Sequence, residues 1–317
     1  MLCAEVDMGP FTIVPVWIAQ DVMVLIATVA TIIFIVRKEE HPESFLMEMF
    51  CFTFLYAAVF ENFATIVGYY GYGRSLLMIF NVPLTVPLIE YLVLYAGLRL
   101  TAKMNMPGWS RAIVTGMMGM LFDLSLDPLA VRQIHKGVAE AAIGRWSWFP
   151  GTTDVTLLGI PVYNFTGWIL MVGFAAAFFL IGRLLYRRSG YKTWVGIVYP
   201  FAAIIASLGA LYSPITAFLF WLGPFWSKGG VTEWIMFAFD TLVGIAVLAA
   251  LWRGRMKKPL KLREDWPVPM IFVSFHVANI LFAIFGGHYE ILWVQGVAAV
   301  AQIGILALIW SRGKRTA

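Results

Sequence analysis

Nine long apolar runs constrain the fold of this chain more than any other feature. They lie near residues 11–36, 45–67, 76–98, 111–127, 160–185, 194–212, 231–252, 267–285 and 290–310. A helix needs about 20 apolar residues to cross a bilayer. Hydrophobic residues make up 61% of the 317 positions, more than a soluble fold requires. We therefore predict an all-α, polytopic transmembrane bundle of about nine spans (eight to ten), forming one integral membrane domain over residues 1–317.

The segment 212–226 is the ambiguous apolar stretch. It reads YSPITAFLFWLGPFW, and its prolines interrupt it before it reaches the length of a clear span. Two interpretations stay open, a re-entrant segment and an interfacial one.

The basic residues predict the orientation of the bundle. With the N-terminus outside, 18 of the 23 Lys and Arg residues fall in cytoplasmic segments, as the positive-inside rule requires. We therefore expect a multi-pass protein of the cell membrane, with its N-terminus outside and its C-terminus in the cytoplasm. The basic residues behind the net charge of +5 lie mainly in these cytoplasmic segments. Their positions indicate an orientation in the lipid bilayer, and we predict no nucleic-acid partner.

Carboxyl groups inside the apolar runs are the first candidates for function, because an ionised side chain is costly in a bilayer core. Asp123 and Asp127 occur in MLFDLSLDPLA (120–130), four residues apart and so on one face of a helix. Glu61 lies toward the outer end of the second run, and Asn164 begins the fifth. We expect these side chains to converge in the outer half of the bilayer.

Structural explanations compete with these functional ones. Asp127 precedes Pro128, a common way to end a helix, so Asp127 could be a solvated loop residue. Glu61 and Asn62 could form hydrogen bonds that hold helices together. His276 is more readily a structural hydrogen-bonding residue than a ligand, because no second His or Cys lies at ligand spacing. We predict neither a metal site nor a cofactor.

Aromatic residues are concentrated in three segments near the acidic positions: GYYGYG (68–73), RWSWFPG (145–151) and YNFTGW (163–168). An aromatic belt at the membrane interface explains part of this concentration. Electron-rich rings can also line an isoprenoid tunnel and stabilise a carbocation through their faces. The candidate substrate-binding residues are Asn62, Tyr69, Tyr72, Trp146, Trp148, Tyr163, Asn164 and Trp168.

Four segments, in order along the chain, resemble a known family. ENFATIVGYYGYG, PLTVPLIEYLVLYAGLRL, DLSLDPLAV and WSWFPG…GIPVYNFTGW are similar to the carotenoid biosynthesis membrane proteins of the bisanhydrobacterioruberin hydratase and γ-carotene 1′-hydratase type, over about residues 55–175. The resemblance implies a cofactor-independent hydratase. Such an enzyme adds water across the terminal C1=C2 double bond of an acyclic carotenoid ψ-end, giving a tertiary alcohol. The implied partners are a long-chain acyclic carotenoid, water and other membrane enzymes of the carotenoid pathway.

The residue types suit this reaction. A carboxyl group buried among apolar side chains favours its neutral form and can donate a proton near neutral pH. A second carboxyl group nearby can orient the water. We assign Asp123 as the acid and either Asp127 or Glu61 as the group that positions the water. Asn164 would be their hydrogen-bonding neighbour.

Other functions stay open. A UbiA-like prenyltransferase also has nine spans, but it needs two Asp-rich motifs with Mg²⁺, and this sequence has one DxxxD. A proton-coupled transporter would use Asp21, Glu90 and His276 as coupling sites. A scaffold for other carotenoid enzymes would need no buried acids.

Overall fold

The computed structural model is mainly helical. The residues that it describes are 6–8, 11–136, 142–221, 230–251 and 261–313. The helices are α1 (Pro15–Lys38), α2 (Pro42–Phe50), α3 (Ala58–Ile66), α4 (Thr85–Lys103), α5 (Gly108–Ala130), α6 (Val162–Arg188), α7 (Thr193–Leu211), α8 (Pro214–Trp221), α9 (Val231–Leu251), α10 (Leu262–Asp265), α11 (Pro267–Phe272), α12 (Ser274–Gly286) and α13 (Leu292–Gly313). A π-helical segment (Cys51–Ala57) joins α2 to α3, and a 3₁₀ turn (Tyr289–Ile291) precedes α13.

Eight helical stretches among the described residues are long and apolar enough to cross a membrane. α2, the π-helical segment and α3 form one of them, and α11 with α12 forms another. α4 is a further helix of 19 residues, and at about 1.5 Å per residue it is nearly as long as a bilayer core is thick. These helices coincide with the nine predicted runs. The prediction of an all-α polytopic bundle is therefore confirmed, while its orientation stays a prediction.

α4 and α5 form the centre of the bundle. Almost every residue of α4 is buried, and α5 packs against α4, α6, α9, α12 and α13. Gly116 of α5 lies so close to α6 that an added Cβ would come within 2.3 Å of the backbone oxygen of Ile169. Small residues allow helices to approach this closely in membranes. The contact brings the C-terminal half of α5 beside the first turns of α6.

Short antiparallel strand pairs connect the helices. They are β1 (Val6–Met8) with β2 (Phe11–Ile13), β3 (Tyr70–Tyr72) with β8 (Trp146–Trp148), β4 (Met78–Ile79) with β5 (Val82–Pro83), β6 (Ile134–Lys136) with β7 (Ala142–Gly144), and β9 (Thr156–Leu157) with β10 (Ile160–Pro161). The β3–β8 pair joins distant parts of the sequence, with Tyr70 opposite Trp148 and Tyr72 opposite Trp146. It therefore brings two of the three aromatic segments together.

One predicted run begins later in the structure than expected, and the ambiguous stretch 212–226 contains a short helix. The third run was expected to begin near residue 76, but α4 begins at Thr85, and the residues before it form the β4–β5 hairpin. The segment 212–226 contains the eight-residue helix α8, which is too short to cross a bilayer. Residues 222–229 of that segment lie outside the described residues.

Candidate active site

Two aspartates of α5 and an asparagine of α6 form the first part of the site. Asn164 Nδ2 donates hydrogen bonds to Asp123 Oδ2 at 2.7 Å and to Asp127 Oδ2 at 2.8 Å. The four-residue spacing gives both aspartates the same helix face. Pro128 lies inside α5, which continues to Ala130, and Asp127 is buried. The interpretation of Asp127 as a solvated loop residue is therefore wrong.

Glu61 of α3 and Glu90 of α4 form the second part of the site. Their carboxyl groups are buried and interact electrostatically with each other. Glu61 Oε2 also accepts hydrogen bonds from the hydroxyl of Tyr70, at 2.8 Å, and from the hydroxyl of Tyr72. Both tyrosines belong to β3, where residues two apart share one face. Strand geometry thus directs two phenols at one carboxyl group.

Glu61, Glu90, Asp123 and Asp127 together form what we call the carboxyl cluster. All four are buried, and Asp127 interacts electrostatically with both Glu61 and Glu90. Among the described residues, their hydrogen-bond donors are hydroxyl and amide groups, and no Lys or Arg forms an ion pair with them. Neighbouring like charges cannot all be ionised in a buried site, so the cluster must hold protons.

One cavity beside the cluster has polar walls, and we call it the polar cavity. Glu61, Glu90 and Asp127 line it, whereas Asp123 does not. Some lining residues have buried polar atoms without a hydrogen-bond partner among the described residues; these atoms are Gln20 Nε2, Gln20 Oε1, Glu90 Oε2, Trp148 Nε1 and Asn279 Oδ1. Buried polar groups normally bind protein groups or ordered water. The polar cavity is therefore suited to hold water.

A second cavity is mainly apolar, and we call it the apolar groove. It runs beside α3, α6, α7 and α8. Its apolar lining residues include Phe60, Phe63, Met171 and Leu211. Phe63 is 47% exposed and Tyr212, also in the wall, is 59% exposed. Exposed apolar residues of a membrane helix face lipid, so a hydrophobic chain can reach this groove from the bilayer.

The polar cavity and the apolar groove share one wall. The residues that line both are Glu61, Tyr70, Trp148, Asn164 and Trp168. Molecules held in the two cavities would therefore meet beside Glu61 and Asn164. Asn164 also contacts both aspartates, which connects this wall to the rest of the carboxyl cluster.

The structure brings most of the sequence-predicted site residues to these two cavities. Tyr72 and Trp146 line the polar cavity, Tyr69 and Tyr163 line the apolar groove, and Trp148, Asn164 and Trp168 line both. Asn62 lines neither cavity. Its side chain donates to the backbone oxygen of Ile79 at 3.2 Å and accepts from the backbone nitrogen of Asn81 at 2.9 Å, which fastens the β4–β5 hairpin to α3.

Glu90, Tyr70 and Gln20 line the cavities but were not among the predicted site residues. Glu90 was assigned to the transporter alternative, because its place in the third run puts it nearer the membrane midplane. The alternation of Tyr70 and Tyr72 could have indicated that both belong with Glu61. Gln20 is an amide inside an apolar run, and this signal was available in the sequence.

Two of the three residues proposed for a transporter are engaged elsewhere. Asp21 Oδ1 forms an ion pair with Arg145 at 2.7 Å and accepts from the Thr85 hydroxyl at 2.6 Å. His276 Nε2 lies 2.5 Å from Gln302 Oε1. These contacts give Asp21 and His276 structural roles, and Glu90 alone of the three belongs to the carboxyl cluster.

A family model described as "Carotenoid biosynthesis protein" matches residues 19–225, about two thirds of the chain and all of the carboxyl cluster. The chain belongs to the carotenoid biosynthesis protein family. The family expected from the four sequence segments is thus confirmed, together with a role in carotenoid biosynthesis. No curated protein and no solved structure matches the chain. The apolar helices further indicate that this carotenoid biosynthesis protein is an integral membrane protein.

Proposed function

We propose that this carotenoid biosynthesis protein is a hydratase, which adds water to the terminal C1=C2 double bond of an acyclic carotenoid ψ-end. The observation that carries the proposal is the wall shared by the polar cavity and the apolar groove. Alkene hydration requires a proton donor, an apolar surface for the alkene and a water molecule at one point. The shared wall supports all three, because it separates a cavity suited to water from a groove suited to the alkene, and it carries Glu61 of the carboxyl cluster and Asn164, which contacts Asp127.

Asp127 is the proton donor in this proposal. Its carboxyl group lines the polar cavity and lies 2.8 Å from Asn164, a residue of the shared wall. Asp123 lines neither cavity. We therefore move the acid role that the sequence suggested for Asp123 to Asp127. Asp123 becomes a positioning residue, because neighbouring carboxyl groups share protons and Asn164 holds both in place.

The reaction balances without any redox step. The proton from Asp127 forms the new C–H bond at C2, and the positive charge then lies on the tertiary carbon C1. Rings of the shared wall, such as Tyr70 and Trp148, can stabilise this cation through their faces. Water then forms the C–O bond at C1 and releases one proton.

Glu61 accepts the proton that the attacking water releases. Its carboxyl group lines both cavities, and the hydroxyls of Tyr70 and Tyr72 orient it. The proton returns to Asp127 within the carboxyl cluster, because Glu61 and Asp127 are electrostatic neighbours. One water is consumed for each double bond, and the protein ends the cycle unchanged.

Expression in a host that makes lycopene tests the proposal. We expect a product heavier by one water, and growth in heavy-oxygen water should label its new hydroxyl group. The Asp127→Asn variant serves as the inactive control. Unchanged lycopene in the presence of folded protein would contradict the proposal. So would a product of unchanged mass with a shifted double bond, because the cation would then lose a proton instead of binding water.

A further inference from the structure

A pocket of different chemistry lies at the opposite end of the bundle from the carboxyl cluster. It is formed where α4 and α6 end and α5 begins. Its charged lining residues are Glu39, Arg99, Lys103, Arg111 and Arg183. Four cations and one acid line it. We call this the basic pocket.

Three of the four cations have a carboxylate partner. The pairs are Arg183 with Glu48 at 2.5 Å, Arg99 with Glu39 at 2.6 Å, and Lys103 with Asp265 at 2.9 Å. Such pairing is what burial of a charge requires. In each of these three pairs the carboxylate offsets the charge of its cation. The fourth cation of the pocket is Arg111.

Arg111 has no ion-pair partner among the described residues. One guanidinium nitrogen, Nη2, donates to the backbone oxygen of Leu98 at 3.1 Å, and the buried Nε has no hydrogen-bond partner in the described part of the chain. The neighbouring charge that acts on it is Arg183, which has the same sign. Arg111 thus lies part-buried next to a second cation, and the described part of the chain supplies it with no compensating anion.

The backbone adds positive potential at the same place. Arg111 is in the first turn of α5, a helix of 23 residues without an acidic residue in that turn. The N-terminal end of a helix carries partial positive charge, which disfavours a cation and favours an anion. The unpaired guanidinium of Arg111 and the helix terminus therefore both favour an anionic ligand.

We propose that the basic pocket binds the phosphate of an anionic phospholipid headgroup, with Arg111 as its main contact. A guanidinium presents parallel N–H donors that match phosphate oxygens. Basic pockets between transmembrane helices bind lipid headgroups in this way. Trp109, two residues before Arg111, is 59% exposed, and exposed tryptophan is typical of the headgroup level. The site does not depend on the proposed hydration.

Thermal unfolding of the purified protein in detergent micelles tests this site. We compare added phosphatidylglycerol, phosphatidylcholine and inorganic phosphate. Phosphatidylglycerol should raise the midpoint of the wild type more than phosphatidylcholine does. The Arg111→Gln variant should bind phosphatidylglycerol about tenfold more weakly or worse, because it loses a charge-assisted hydrogen bond.

The same variant distinguishes a ligand-binding arginine from a structural one. Without added lipid, Arg111→Gln should unfold at the wild-type midpoint or above it, because it removes an unpaired cation. Arg187→Gln is the matched control: it removes an exposed cation near the same end of α6, outside the pocket, and should keep the full lipid effect. Equal lipid effects in the wild type and Arg111→Gln would overturn the site. An Arg111-dependent effect of inorganic phosphate alone would overturn its assignment to a lipid.

Discussion

Acidic residues are buried at both ends of this bundle, and the two ends differ in the groups that contact these acids. Glu48 and Asp265 lie at the end with the basic pocket, and each contacts a cation at 2.9 Å or less. The carboxyl cluster at the other end accepts hydrogen bonds from hydroxyl groups and an amide, as far as the structure describes the chain. An acid paired with a cation holds helices together. Acids that share protons can exchange them.

The largest expected effect is a loss of activity, caused by a substitution in the carboxyl cluster. Asp127→Asn keeps the size and one polar oxygen of the side chain but removes the donated proton. We expect hydration to fall by about a thousandfold, within the usual range for removal of a general acid. The measurement is product formation per amount of folded protein in membranes. Activity within tenfold of the wild type would remove Asp127 from the acid role.

The second-largest expected effect is a loss of stability, caused by a substitution at the end with the basic pocket. Glu48→Gln leaves the guanidinium of Arg183 without its carboxylate, and loss of one partner from a buried pair costs about 3 kcal/mol or more. We expect a lower unfolding midpoint but unchanged hydration per folded molecule. The control is the double variant Glu48→Gln/Arg183→Gln, which should recover part of the stability. Unchanged stability of the single variant would show that the pair is not structural.

A smaller effect sharpens the roles within the carboxyl cluster. Asp123→Asn keeps a hydrogen-bonding group beside Asn164 but removes one of the two carboxyl groups that share a proton. We expect kcat to fall about tenfold, less than the roughly hundredfold or more that loss of the general acid itself costs, while KM stays unchanged, because Asp123 lines neither cavity. A loss as large as that of Asp127→Asn would return the acid role to Asp123.

The smallest effect concerns Asn62, which is near the cluster in sequence but lines neither cavity. Asn62→Ala removes hydrogen bonds to the β4–β5 hairpin, and we expect a loss of about 1 kcal/mol in the free energy of unfolding. Hydration per folded molecule should stay at the wild-type level. A raised KM with unchanged stability would instead support the substrate-binding role predicted from the sequence.

The helices could be predicted from the sequence because each apolar run is long and bounded by polar residues. The start of α4 could not, because the β4–β5 hairpin depends on hydrogen bonds from Asn62, a residue some 20 positions earlier. Asp127 was ambiguous for a similar reason. A following proline commonly ends a helix, but α5 continues past Pro128. The buried carboxyl group of Asp127 receives a hydrogen bond from Asn164 of α6, a partner that is distant in sequence.

The site was predictable where its members lie at similar depths in the predicted spans. Asp123, Asp127 and Asn164 were expected to converge in the outer half of the bilayer, and Asn164 donates hydrogen bonds to both aspartates. Glu90 was not included, because 29 positions separate it from Glu61 and only the packing of α3 against α4 brings them together. Periodicity within one helix carries no information about which neighbouring helix it will face.

Gly116 acts at a distance on the chemistry of the protein. It lies eleven residues before Asp127, roughly 16 Å along the helix axis at 1.5 Å per residue. A bulkier residue there would push α5 away from α6, and the two hydrogen bonds of Asn164 have little slack, at 2.7 and 2.8 Å. The spacing between α5 and α6 therefore sets the lengths of the hydrogen bonds from Asn164 to both aspartates. Side chains of growing volume at position 116 should lengthen these bonds step by step.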